Sequence, residues 1–170
     1  MTSLPISTRF YAPPLTRIRW LPTIAASSLK PGAVGYLLPT SPEWVAGIDL
    51  SDEVADLSGF AITDTAIDLP GLSAFTGSLP GRLAVGQSSI SFYASDDGED
   101  VRGVLTRGQN GFVAIADAGD DAASLVDIFP ARVGALGKPR SVTGSTAQLI
   151  TVPFYTTRLP GEDIVIPAAV

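Results

Sequence analysis

The sequence contains no cysteine and no histidine. Without cysteine there is no disulfide and no thiolate metal site, and no redox compartment to read. Without histidine the chain lacks the side chain that titrates nearest neutral pH, the commonest metal ligand, and the base of every Ser-His or Cys-His nucleophile pair. Phosphate-loop, dinucleotide-fingerprint and nucleophile-elbow spacings are absent too. Together these absences argue against an enzyme, and no cofactor is expected. Charged residues are only 16% of the chain, against a usual ~25%. A surface so poor in charge suits burial against a partner, or a mild Ser/Thr-rich β protein. No apolar run reaches the ~18 residues of a membrane span, so no membrane insertion is expected. Met1 to Tyr11 lacks the apolar core of a signal peptide, which points to synthesis in a cytoplasm.

The formal net charge is −6. An acidic domain does not bind nucleic acid by neutralising phosphates, because that takes Lys and Arg. Acidity remains compatible with a wall past which DNA slides.

What is present reads as β structure. Short runs of Val, Ile, Thr, Leu and Phe are punctuated by 17 Gly and 14 Pro, the pattern of an all-β sandwich or barrel. The 170 residues fit one domain, with an extended, Pro-containing arm over 1–14 and a tail over 158–170. Strands are expected at Arg17–Leu21 with a continuation to Ile24, at Phe60–Leu69, Ser88–Ala94, Gly111–Ala118, Leu125–Ala135 and Gln148–Thr157. Pro130 inside one of them marks an edge or a bulge. Glu43 to Phe60 reads as loop and short strand. One helix is expected over about 97–106, where Val101, Val104 and Leu105 share a face and acids crowd the start. The EF-hand spacing and its late Glu are missing there, so helix-start electrostatics explains those acids better than a metal.

A long loop over about 70–86 holds Leu72, Phe75 and Leu79 with Arg82. A solvated loop would be more polar, and apolar residues on such a loop suggest docking on a neighbour; the alternative is a fold-back over its own core. Charge is segregated as well. Met1 to Lys30 holds bases and no acid, including Arg17 and Arg19; Pro31 to Gly81 holds acids and no base, including Asp64 and Asp68. In an assembly this gives complementary surfaces, with Arg17 and Arg19 as contact residues. Other constellations carry less. Ser141 and Ser145 near Lys138 fit a turn, and Asp52 and Asp56 would serve hydrolysis only across a cleft.

The order of these segments carries a resemblance. The Phe92-Tyr93-Ala94-Ser95-Asp96-Asp97-Gly98 strand-to-helix junction is one part, and the Asp127-Ile128-Phe129-Pro130-Ala131-Arg132-Val133 strand with Gly137-Lys138 behind it is another. Over roughly Arg17 to Pro160 the chain resembles the major tail tube proteins of long-tailed, siphophage-type bacteriophages, especially those infecting actinobacteria. The resemblance implies a mainly β fold of two packed antiparallel sheets with one flanking helix and a long loop. It implies homo-hexameric rings that stack into a hollow tube in the virion tail. Such a tube surrounds a tape-measure protein and later conducts DNA without binding it specifically. The loop would reach a neighbouring subunit or ring, and Asp64 and Asp68 beside it are candidates for the lumen. Two other readings stand beside this one: the tube protein of a contractile tail or injection apparatus, and a monomeric β-sandwich binding module.

Overall fold

The computed structural model of the chain describes residues 15–69, 77–95, 100–138 and 147–168. The expected N-terminal arm over 1–14, with Leu72 and Phe75 of the loop, lies outside the described residues. The strands are β1 (Arg17–Leu21), β2 (Ile48–Asp49), β3 (Val54–Ser58), β4 (Ile62–Asp64), β5 (Ile67–Leu69), β6 (Gly77–Leu79), β7 (Leu83–Val85), β8 (Ser88–Tyr93), β9 (Asn110–Ala116), β10 (Leu125–Val133), β11 (Leu149–Thr156) and β12 (Gly161–Val165). Two short helices join them, α1 (Ser41–Val45) and α2 (Val101–Val104).

One eight-stranded antiparallel sheet runs β2-β1-β9-β10-β11-β8-β3, with β12 also paired to β10. Its first and last strands, β2 and β3, are neighbours in sequence, joined by Leu50 and a 3-10 turn at Ser51–Glu53. That link spans at most about 18 Å, so the sheet curls until its ends come near each other. Leu50 donates its N–H to the Ile18 carbonyl, and the Ser51 hydroxyl accepts from the Ile18 N–H, so the turn itself covers the free edge of β1. Curling folds the sheet over one core. Trp20 of β1 and Phe154 of β11, with two strands between them in the ladder, approach to 6.1 Å between ring centroids. Phe60 bridges Phe129 at 5.2 Å and Phe154 at 6.1 Å. This mainly β, antiparallel arrangement is consistent with the expected sandwich.

The burial pattern shows how the sequence specifies the layers. β8 and β11 alternate strictly: Ile90, Phe92, Ile150, Val152 and Phe154 point inward, while Ser91, Thr151 and Tyr155 point out. β9 and β10 read as near-continuous apolar runs because both their faces are covered. Val113, Ile115, Phe129 and Ala131 face the inner core. Ala114, Ala116, Val126 and Ile128 face a second cluster with Leu21, Ile24, Leu37, Trp44 and Ile166. The segment from Ile24 to Gly47 therefore forms an outer layer over the middle of the sheet.

Glu43 fastens that layer. Its carboxylate accepts the Thr40 N–H and the Ala25 N–H, each at 2.7 Å, and Thr40 completes a capping box at the start of α1. Burial alone would raise the Glu43 pKa, but these bonds and one from the Thr40 side chain outweigh it and hold the group below its usual range. Asp49 behaves likewise: burial opposes ionisation, and the Ser51 hydroxyl and N–H with Arg19 and Arg17 overcome it. Asp100 is lowered chiefly by Arg102. Each of these contributions is present above the unfolded carboxylate range near pH ~4 and is lost as pH falls through the depressed folded value. Asp127 acts in the opposite sense, raised first by burial. Melting temperature should therefore fall as pH is lowered from about 5 to 3, a trend that differential scanning calorimetry would read and that a flat profile would contradict. Glu43→Ala should lose about 1 kcal/mol through the broken cap, or roughly 2–4 °C, and flatten that acid dependence.

Several expectations need correcting. The helix expected over about 97–106 is only Val101–Val104 among the described residues, with Asp100 as its N-cap accepting the Arg102 N–H at 3.0 Å. Leu105 is already extended, its side chain drawn into the core, and Gly103 weakens the turn before it. A second helix, α1, overlaps the start of the segment expected as loop and short strand; Pro42 in its first turn and the capping box start it. β1 stops at Leu21 rather than running to Ile24. The loop over about 70–86 is in part β structure, since β6 and β7 lie within it. The tail over 158–170 contains β12, which pairs with β10 of its own sheet. Pro130 sits where β10 changes partner, β12 ending at Ile128 and β11 beginning at Ala131. Its carbonyl takes the Thr157 N–H at 2.9 Å, and its missing N–H falls in that gap.

Candidate functional site

The feature that leaves the body of the fold is an arm. β4 pairs with β7 and β5 with β6, both antiparallel, so the chain from Ile62 out to Leu69 and back from Gly77 to Val85 forms one long β-ribbon. Two residues, Thr65 and Ala66, separate the outgoing strands, and three, Pro80 to Arg82, separate the returning ones. The extra residue is a bulge, which twists the ribbon. Gly81 is required there, since a side chain would run into the Thr65 carbonyl oxygen.

Near its tip, at the outermost described pairs, the arm has two unlike faces. Ile67 pairs with Leu79 and Leu69 with Gly77, so Ile67, Leu69 and Leu79 share one face; Asp68 and Ser78 share the other. Ile67 is 54%, Leu69 46% and Leu79 52% exposed. Three large apolar side chains half in water on a two-stranded ribbon are a surface that a partner would cover. Nearer the root, Asp64 stands opposite Leu83 and Ile62 opposite Val85. Asp64, Asp68 and Arg82 are all exposed.

Beside the arm's root lies a cleft of about 690 Å³. Ile62, Leu83 and Val85 line it from the arm, and Tyr155, Arg158 and Leu159 from the body. A second hollow adjoins it across Tyr155 and Thr157 and is lined by Arg107 and Arg132. Arg158 donates to the Ser27 carbonyl at 2.9 Å and Arg132 to the Gly108 carbonyl at 3.1 Å. Among the described residues, none of these three arginines is in a salt bridge.

The third surface is the outer face of β3, β8 and β11. The register places Asp56 opposite Ser91, Ser58 opposite Ser89, and Thr151 across from Ser91 on the other side. The Ser91 and Thr151 hydroxyls lie 2.9 Å apart. No Lys or Arg occurs on these strands. The result is a hydroxyl-rich, weakly acidic sheet face. The sequence signal for it was the Ser89 and Ser91 alternation with Ile90 and Phe92, and the pairing of three strands that are distant in sequence gave it breadth.

Arg17 and Arg19, expected as contact residues, both have partners in their own chain. Arg19 reaches Asp120 at 2.7 Å and lies 5.3 Å from the centroid of the Trp44 ring. Arg17 makes only a loose 3.8 Å pair with exposed Asp52. The acids at the start of the expected helix show one further use: Asp100, its side chain buried, holds Arg102 through both carboxylate oxygens, the shorter contact 2.6 Å. That pair fixes the turn into α2. Among the described residues no group of three or more acids could hold a metal ion, and no helix is long and apolar enough to cross a membrane.

A family model described as "Phage tail tube protein" matches residues 5–169 of the chain. No curated protein matches it.

Proposed function

We propose, because the chain belongs to the phage tail tube protein family, that it forms hexameric rings which stack into the hollow tube of a long, non-contractile phage tail. In this reading the tube encloses a tape-measure protein during assembly in the host cytoplasm and later conducts DNA. The observation that carries the reading furthest is the arm. A two-stranded ribbon with Ile67, Leu69 and Leu79 half exposed at its tip is poorly stable alone, and it makes sense as a joint between copies. Heterologous, head-to-tail contacts of this kind generate rings or open filaments. Leu79 and Arg82, with Leu72 and Phe75 beyond the described residues, are proposed to lie in that joint. Arg17, loosely paired, is a contact residue of the same kind, while Arg19 is held within its own subunit.

The wall of the bore is proposed to be the hydroxyl-rich face of β3, β8 and β11. A polyanion is held by cations, and this face offers hydroxyls and Asp56 in their place. Of the two arm acids expected to face the lumen, Asp64 shares a face with Ile62, Leu83 and Val85 on the cleft side of the arm, and Asp68, near the arm's tip, is proposed to lie in the joint.

Negative-stain microscopy of the purified protein tests the reading. Rings or long hollow tubes are the expected result. A strict monomer at every concentration and salt condition would refute it. Tubes of the same kind surrounded by a co-expressed sheath protein would favour a contractile tail instead.

A further inference from the structure

The arm and the cleft beside its root are complementary in two respects, and they belong to the same chain. The tip has an apolar face, Ile67, Leu69 and Leu79, and a polar face, Asp68 and Ser78. The cleft has an apolar side, Ile62, Leu83 and Val85, and a polar, basic side, Tyr155 and Arg158, with Arg107 and Arg132 just beyond. A ribbon entering between those sides meets apolar with apolar and carboxylate with guanidinium at once. Leu83 at 59% and Tyr155 at 56% exposure are as uncovered as the tip residues.

The tip cannot occupy its own cleft. From Ile62 to Leu69 the ribbon extends seven residues, roughly 23 Å at 3.3 Å per residue. Its paired strands cannot double back to the root from which they start. A tip of this chemistry seated in the cleft would belong to another copy, whose own cleft would receive the next. Resting on the tail-tube reading, we infer that the cleft between the arm's root and residues 155–159 is the seat of the neighbouring subunit's arm tip, with Asp68 of one copy facing Arg158 of the next. This assigns the receiving half of the joint, and it makes the contact one-directional, as growth of a ring or tube requires.

Charge exchange tests the seat. Asp68→Arg and Arg158→Asp should each raise the protein concentration needed for assembly, read by sedimentation and microscopy, by at least about tenfold, equivalent to ~1.4 kcal/mol. Asp68→Arg/Arg158→Asp in one chain restores the pair across every joint, and its threshold should return to within about threefold of the natural protein's. Single variants that assemble normally would overturn the seat. So would a double variant that melts normally but assembles no better than the singles.

Arg158 also holds the Ser27 carbonyl, so a second readout is needed in case Arg158→Asp unfolds. The chain has no cysteine, which makes Ser78→Cys/Tyr155→Cys a clean reporter. Assembled tubes of that variant, treated with a short bis-maleimide, should give a ladder of multimers on a denaturing gel, and either single variant should give none. Tubes without a ladder would refute the seat and leave the tail-tube reading standing. Failure of the natural protein to form tubes would refute that reading itself.

Discussion

Replacing Ile67, Leu69 and Leu79 together by threonine should abolish tube formation and leave the fold intact. The argument rests on where these side chains are. Each is about half exposed on a ribbon whose strands pair only with each other and not with the eight-stranded sheet. Threonine supplies the β-branched shape that a pleated ribbon favours, so the subunit should melt within a few degrees of the natural protein. Assembly is different. Full burial of a Leu or Ile side chain is worth about 1.5–3 kcal/mol, and half of that remains to be gained at a joint. Three such residues give roughly 2–4 kcal/mol per contact, or about 30- to 1,000-fold in association constant. A ring and a stack repeat the contact at every subunit, so the loss multiplies along the polymer. Size-exclusion chromatography should show a monomer at concentrations where the natural protein sediments as tubes. Tubes at the natural threshold would mean that the arm is not a joint.

The β class was legible in the sequence because it depends on local pattern. Ile90 and Phe92, or Ile150, Val152 and Phe154, alternate with polar residues, and the fold places them inward. The Gly and Pro punctuation placed most strand ends within a few residues. The outer layer was not legible. Nothing local shows that Trp44 lies over β9 and β10, or that Glu43 caps α1 while holding Ala25 eighteen residues away. The apolar runs of β9 and β10 were visible, but the reason for them, cover on both faces, needed the fold. The loop over 70–86 is conspicuous in the sequence for its apolar residues. It hid a ribbon because its outgoing half, Ile62 to Leu69, had been counted with the body. Arg17 and Arg19 show the limit of charge segregation as an argument. The acid-rich middle of the chain does supply Asp52 to Arg17, but within one subunit, and Arg19 takes Asp120 from a turn 101 residues on. The hydroxyl face of β3, β8 and β11 joins three segments whose order in the sheet no periodicity reveals.

A glycine whose role is invisible in sequence carries the largest stability effect expected here. Gly111 is the second residue of β9, opposite Ala131 of β10. An added Cβ would enter the indole ring of Trp20, colliding with Cζ2 and standing 2.8 Å from Cε2 and Cη2. The ring has nowhere to go, since Trp20 is fully buried and Phe154 packs beside it. Gly111→Val should therefore expel or tilt the indole, with a cost like that of losing a core aromatic, ~3–5 kcal/mol. A typical domain has only about 5–15 kcal/mol in total, so the variant should express as aggregate or as a subunit unfolded at low urea. The collision also predicts its own remedy. Trp20→Leu alone leaves a cavity, and Gly111→Val alone overfills the same space; combined, they should be more stable than the sum of the single losses predicts. A coupling above about 1 kcal/mol in a double-mutant cycle, measured by urea unfolding of subunits kept below the assembly threshold, is the expected result. Additive losses would show that Gly111 is required for its backbone alone.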